Sequence, residues 1–124
     1  MNKAKLENLL SSFEPEYKDY KLDKEAVDYL GQVINGPDTL KASMAVCVAG
    51  MDRGAYKSLS QSFILVAAHS KEPTVRIAAA AAAGDLNDGS VKNHVLIELL
   101  MDSDAGVRKF AGYSAKKSLP CYKG

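Results

Sequence analysis

Residues 78–83 are six consecutive alanines. Alanine is the strongest helix former, but its side chain covers little area, so an alanine helix is stable in a protein only where its neighbours approach closely. The run therefore predicts a helix packed tightly by other helices. It sits in a chain of 124 residues that has 17 alanines, three phenylalanines and no tryptophan. That length makes one domain of modest size, and the composition removes the usual large anchors of binding hot spots and ligand pockets.

Helical periodicity recurs along the whole chain. Leu6, Leu9, Leu10 and Phe13 share one face from Lys3 to Phe13, ahead of Pro15. Ala26, Val27, Leu30, Val33 and Ile34 form a stripe from Lys24 to Ile34, closed by Asn35-Gly36-Pro37. A third helix runs from an N-cap at Asp38 to Gly50, with Leu40, Met44, Cys47, Val48 and Met51 inward, and a fourth from Ala55 to His69 carries Leu59, Phe63, Ile64, Val66 and Ala67. Pro73 suits the first turn of a fifth, Thr74 to Ala83. The segment GDLNDG is the strongest loop signal. After it Ser90 caps a helix to Met101, and Asp102-Ser103-Asp104 turns into a last helix from Ala105 to Leu119, stopped by Pro120. No segment alternates with a period of two. The expected fold is all-α, with successive helices paired as antiparallel hairpins.

The chain also repeats itself. YLGQVINGPDTLKASMA, ILVAAHSKEPTVRIAAA and LIELLMDSDAGVRKFAG align without gaps, anchored on Leu40, Val75 and Val107 at separations of 35 and 32. Each anchor is followed by a basic residue (Lys41, Arg76, Arg108) and preceded by an acid (Asp38, Glu72, Asp104). Ten residues earlier stand Leu30, Leu65 and Ile97, and seven earlier Val33, Ala68 and Leu100.

EPTVRIAAAAAAGDL and DAGVRKFAGYSAKKSL resemble the HEAT family, in particular the short prokaryotic HEAT-like repeats of phycobilisome lyase-related proteins. The resemblance covers about residues 22–119; the first unit departs from it with Leu40-Lys41 in place of Val-Arg. It implies an α-α superhelix, or solenoid, of three helix pairs: a capping helix and connection over 1–21, repeats over 22–53, 54–88 and 89–120, and a tail over 121–124. Two-helix units of this length bury their apolar faces only by stacking, which places the alanine helix in the middle. The resemblance further implies that Arg76 and Arg108 pair with the turn acids Asp38, Glu72 and Asp104 in a structural ladder, ion pairs that fix geometry more than they add stability.

The charge is uneven behind its total. Sixteen basic against fifteen acidic side chains leave +1, which argues against a wholly basic nucleic-acid protein, and 25% charged residues exclude a membrane-embedded chain. Residues 14–28 nevertheless hold six acids against three lysines, and residues 105–124 hold Arg108, Lys109, Lys116, Lys117 and Lys123 with no acid. Two readings of the basic end are open: lysines complementing a helix dipole, or a site for an acidic partner, with Tyr113 and Tyr122 placed to stack on bases.

Catalytic patterns are poor. His69 and His94 lie 25 positions apart with no HExxH or CxxC spacing, Cys47 and Cys121 form no framework, and GDLNDGS lacks the length and terminal glutamate of a calcium loop. The expectation is no enzyme, no metal and no cofactor. The absence of a spanning segment, a leader pattern or a disulfide framework predicts a cytoplasmic protein.

The function expected is a protein-binding scaffold reading its partner through Lys41, Ser43, Arg76, Lys109, Gly112, Tyr113 and Lys116. Alternatives are an immunity or inhibitor protein that covers a toxin or enzyme, and nucleic-acid binding through the basic last repeat. Some HEAT-like proteins are alkylpurine DNA glycosylases, but this chain is short and has no tryptophan. Chromophore handling is implied only by the lyase-related family, and no residue here matches a motif for it.

Overall fold

The computed structural model describes residues 1–12, 16 and 18–118, and among them the chain is all-helical: α1 Lys3–Ser12, α2 Lys24–Ile34, α3 Thr39–Met51, α4 Lys57–Ala67, α5 Pro73–Gly84, α6 Gly89–Leu99 and α7 Ala105–Ser118. Phe13, Pro15, Leu119, Pro120 and the 121–124 tail lie outside the described residues.

Aspartates start most of these helices. The first backbone N–H groups of a helix have no partner within it, and a side-chain oxygen at the N-cap takes one for about 1 kcal/mol. Asp23 accepts from the Ala26 N–H, Asp38 from Lys41, Asp88 from Ser90 and Val91, and Asp104 from Val107. The cap of α6 is thus Asp88, not Ser90, because the carboxylate reaches two donors and draws the helix start forward to Gly89. Pro73 occupies the first turn of α5, where its missing N–H costs nothing.

The helices form two layers. α5 packs between α3 and α7, while α2, α4 and α6 lie behind against their own successors α3, α5 and α7. α1 covers α2 and α3, with Leu6 and Leu10 fully buried. Of the six alanines, Ala78, Ala79, Ala80, Ala82 and Ala83 are buried and Ala81 alone faces solvent, so the run is enclosed as its composition predicts.

Burial corrects the register of the first pair. Leu40 is 54% exposed, and Ala42, two residues on, holds the inward place of Val75 and Val107. Counted from Ala42 the pairs repeat at 33 and 32 residues. Five positions are then buried in all three: Gly31, Ile64 and Leu96; Ile34, Ala67 and Leu99; Ala42, Val75 and Val107; Val46, Ala79 and Ala111; Gly50, Ala83 and Ala115. Leu40 misleads because it is apolar beside a lysine, yet it is only the second residue of α3 and turns outward. The residue matching Arg76 and Arg108 is therefore Ser43 rather than Lys41. Ile97, at 53% exposure, is likewise not inward.

The chain between α1 and α2 is pinned to the end of α3. The Tyr20 N–H donates to Met51 O at 2.9 Å and the Arg53 N–H to Tyr20 O at 2.7 Å. The fully buried Asp52 carboxylate accepts from the Leu22 N–H, the Gly54 N–H and the Ser60 hydroxyl, at 3.3, 2.9 and 2.6 Å. Arg53 donates to Gly50 O, Asp52 O and, across the layer, Asp85 O, so one cation serves the C-terminal carbonyls of α3 and α5.

α3 and α5 come close together at Gly50. A Cβ there would lie 2.8 Å from Ala82 O and 2.9 Å from Ala82 Cβ, contacts with backbone and a methyl group that cannot rotate away. Gly50→Ala gains about 1 kcal/mol of helix propensity but forces the helices apart, and Ala82→Leu overpacks the same contact. We expect each to lower stability by about 1–3 kcal/mol net in urea denaturation. Gly89→Ala, with nothing within 4 Å of its new methyl, is the neutral control. An unchanged midpoint for both Gly50→Ala and Ala82→Leu would show that α3 and α5 do not meet this closely.

Candidate interaction surface

The second and third helix pairs are joined by charge. Arg76 projects from the first turns of α5 to the turn before α7, where its Nε and Nη2 donate to the two oxygens of Asp102 at 2.9 and 3.1 Å. The pair retains only 14% and 10% side-chain exposure. Nη1 of Arg76 donates to Ser70 O at 2.8 Å, which holds the guanidinium fork in place. Beside it Glu98 receives Nε2 of His69 from α4's end and Nε2 of His94, the latter at 3.5 Å. Burial by itself would raise the Asp102 carboxyl; the hydrogen bonds from Arg76 and the Asp104 N–H, with the charges of Arg76 and Arg108, outweigh it and hold the group below its ordinary value.

These contacts correct the expected ladder. The acid that meets Arg76 is Asp102, not Glu72, Asp104 or Asp38, because the arginine reaches forward to the next turn. Asp38 and Asp104 serve as helix caps, and Glu72 stands at the N-cap of α5 without a side-chain bond to it.

Among the described residues the corresponding joint between the first and second pairs carries no such pair. Ser43 stands in the place of Arg76 and donates to Thr39 O of its own helix, while Ser70 stands in the place of Asp102 and accepts from the Glu72 N–H, as Asp102 accepts from Asp104. A cleft of about 550 Å³ opens there, lined among others by Pro37, Thr39, His69, Ser70 and Glu72. The Ser70 hydroxyl is too short to fill it.

A second groove, about 650 Å³, lies along α5 and α7 and takes in the start of α6. Phe110, Tyr113, Ser114 and Lys117 line it from a single face of α7, opposite Ala81, Gly84 and Asp85, with Lys92 reaching in from α6. In the 32-residue register Phe110, Tyr113 and Ser114 stand where α5 has Ala78, Ala81 and Ala82. Large side chains in place of alanines thus leave a furrow where α3 and α5 close up. Phe110 and Tyr113 meet edge to face at 6.0 Å and stay 43% and 50% exposed, and the Lys109 ammonium lies 5.9 Å from the Tyr113 ring centre.

Of the residues expected to read a partner, Lys109, Gly112, Tyr113 and Lys116 share α7, and Tyr113 lines the groove. Lys41 and Ser43 belong to α3 and Arg76 is committed to Asp102; none of the three lines the groove. Lys92, Phe110, Ser114 and Lys117 were not singled out from sequence, although the spacing 110, 113, 114, 117 marks one helical face. Cys47 is half-buried, and burial, followed by the charge of Asp85, raises its thiol, which keeps it protonated and a poor nucleophile. Cys121 and Tyr122 lie outside the described residues. No helix among the described residues is long and apolar enough to cross a membrane.

No family model, curated protein or solved structure matches the chain.

Two measurements test this electrostatic account. Because the folded Asp102 carboxyl sits below the ordinary 3.8, its contribution is fully present above that value and is lost as pH falls through the folded one. The melting temperature of the parent minus that of Asp102→Asn should therefore stay constant from neutral pH to about 5 and shrink below 3.8. A gap that is independent of pH would remove the charge from the argument. Ser43→Arg with Ser70→Asp should place a like pair in the first joint, with a favourable coupling of about 0.5–3 kcal/mol in a double-mutant cycle. Zero coupling would mean that the register through Ala42 is wrong.

Proposed function

We propose that the chain is a short HEAT-like α-solenoid, three helix pairs behind the capping helix α1, and that it works without catalysis as a scaffold for another protein. The groove between α5 and α7 is the observation that carries this reading. The cleft at the turns before α3 and α5 has no phenylalanine or tyrosine among its described lining residues, and short side chains offer a partner little to grip. At the groove two half-exposed aromatic rings stand between Lys92 and Lys117, with the Ser114 hydroxyl beside them. Aromatic anchors ringed by polar groups are the parts from which protein interfaces draw most of their energy. The lysines select a partner segment that carries carboxylates around an apolar side chain, and Lys109 and Lys116 extend the same field along α7. The chemistry is recognition: the one described cysteine is protonated, and the lone fully buried carboxylate among the described residues, Asp52, is occupied by three donors.

Nucleic-acid binding is the second reading, favoured by the Lys109 ammonium over the Tyr113 ring and by the absence of acids from α7. The two readings part on salt and on partner. A labelled single-stranded oligonucleotide titrated at low salt should show no measurable binding if the surface is a protein site; binding that weakens steeply with salt would establish phosphate contacts instead. Tyr113→Ala combined with Lys92→Glu and Lys117→Glu should remove a specific protein from material co-purified with the chain, while the melting temperature stays near that of the parent. Retention of every co-purified protein would overturn the groove as the site.

A further inference from the structure

The outer end of the third helix pair repeats the surface with which the second pair holds the third. In the 32-residue register Ile97, Met101, Arg108 and Lys109 stand where the second pair has Leu65, His69, Arg76 and Ile77. Three of those four are seen to meet the third pair. His69 pairs with Glu98, Arg76 with Asp102, and Ile77 Cδ1 lies 3.6 Å from where a side chain on Gly106 would begin. Their counterparts at the outer end are open to solvent: Met101 is 76% and Ile97 53% exposed, and Arg108 and Lys109 are exposed beside them.

Arg108 is already held in the manner of Arg76. Nη1 of Arg76 donates to the carbonyl six residues back, Ser70 O, and Nη1 of Arg108 donates to the carbonyl six residues back, Asp102 O, at 2.7 Å. For Arg76 that anchor leaves Nε and Nη2 to take the Asp102 carboxylate as a fork. Arg108 makes no ion pair among the described residues; the Asp102 carboxylate is near enough to feel its charge but is held by Arg76, and α7 itself contributes no acid. A guanidinium fixed in advance loses less freedom on binding than a free one, and its planar fork matches a carboxylate.

We propose that this end is a docking surface for a partner protein that presents an aspartate or glutamate at a turn between two helices. The carboxylate enters the Arg108 fork as Asp102 enters that of Arg76, and the flanking helices cover Ile97 and Met101. Charge complementarity selects an acidic turn, because α7 presents Arg108, Lys109 and Lys116 and no acid, and the Asp102 carboxylate beside them is taken by Arg76. The apolar pair selects a helical surface over a loose acidic tail, since an exposed ion pair alone contributes about 0–1 kcal/mol. The proposal rests on the internal register and not on the groove at Tyr113.

The test places p-benzoylphenylalanine at position 101 of the full chain, in the cells from which the chain comes, and sequences the peptides joined to it by light. The expected product is a different protein, joined within a helix–turn–helix segment that has an acid at the turn. Arg108→Glu should cut its yield by at least about tenfold, and Arg108→Gln, which removes the charge without setting a new carboxylate beside Asp102, should cut it nearly as far with little change in melting temperature. Arg108→Lys, which keeps the charge and loses the fork, should fall between, and reversing the partner's acid to arginine should restore the product against Arg108→Glu. Joining to a second copy of this chain, to a segment without an acidic turn or to no protein at all would overturn the proposal, as would a yield indifferent to Arg108→Glu. None of these results bears on the groove.

Discussion

The distance between α3 and α5 governs the rest of the molecule. Gly50 lies against the backbone of Ala82, and no larger pair of residues fits there without moving a helix. That approach explains the alanine run: a helix enclosed by four others keeps its backbone near theirs only if its own side chains are short. The larger apolar side chains lie outside α5, with Leu6, Leu10, Leu30, Ile64, Leu86, Leu96 and Leu99 fully buried. Small residues set the spacing, and each of these larger side chains removes more apolar area from water than an alanine does.

Once the helices are this near, differences between repeats show up as shape. Phe110, Tyr113 and Ser114 line a furrow at positions where α5 has Ala78, Ala81 and Ala82. Arg76 and Asp102 close one turn-side joint, and a cleft lined in part by Ser70 opens at the other. Neither difference alters the helices themselves. Both alter what the molecule offers to a neighbour.

Much of this was legible in the sequence. Helices end within a residue or two of their expected places because caps, proline and glycine act locally, and Asp38 is the cap that short-range chemistry predicts. Register was harder. The first pair was aligned on Leu40, whose apolar side chain and lysine neighbour mimic Val-Arg, while the true inward residue, Ala42, is too small to announce itself. The partner of Arg76 was missed for a related reason: Asp102 lies 26 residues on and belongs to the following turn, where its sequence looks like any loop. The basic and aromatic face of α7 could be read in part. Lys109, Tyr113 and Lys116 stood out by type, but Lys92 enters from another helix, and only the fold brings it to Tyr113 and Lys117.

The unequal joints bear on how the molecule moves. Where Arg76 grips Asp102 the turn-side mouth of the joint is clamped by a directional, charge-assisted fork, and sliding or splaying there breaks two hydrogen bonds at once. At the first joint the mouth is an open cleft, and the directional contacts lie at the other end of the helices, where Arg53 donates to Asp85 O and the Ser60 hydroxyl to Asp52, close to the packing of Gly50 on Ala82. Each joint is therefore pinned at a different end: the second at the turns, by Arg76 on Asp102, and the first at the C-terminal carbonyls of α3 and α5, by Arg53.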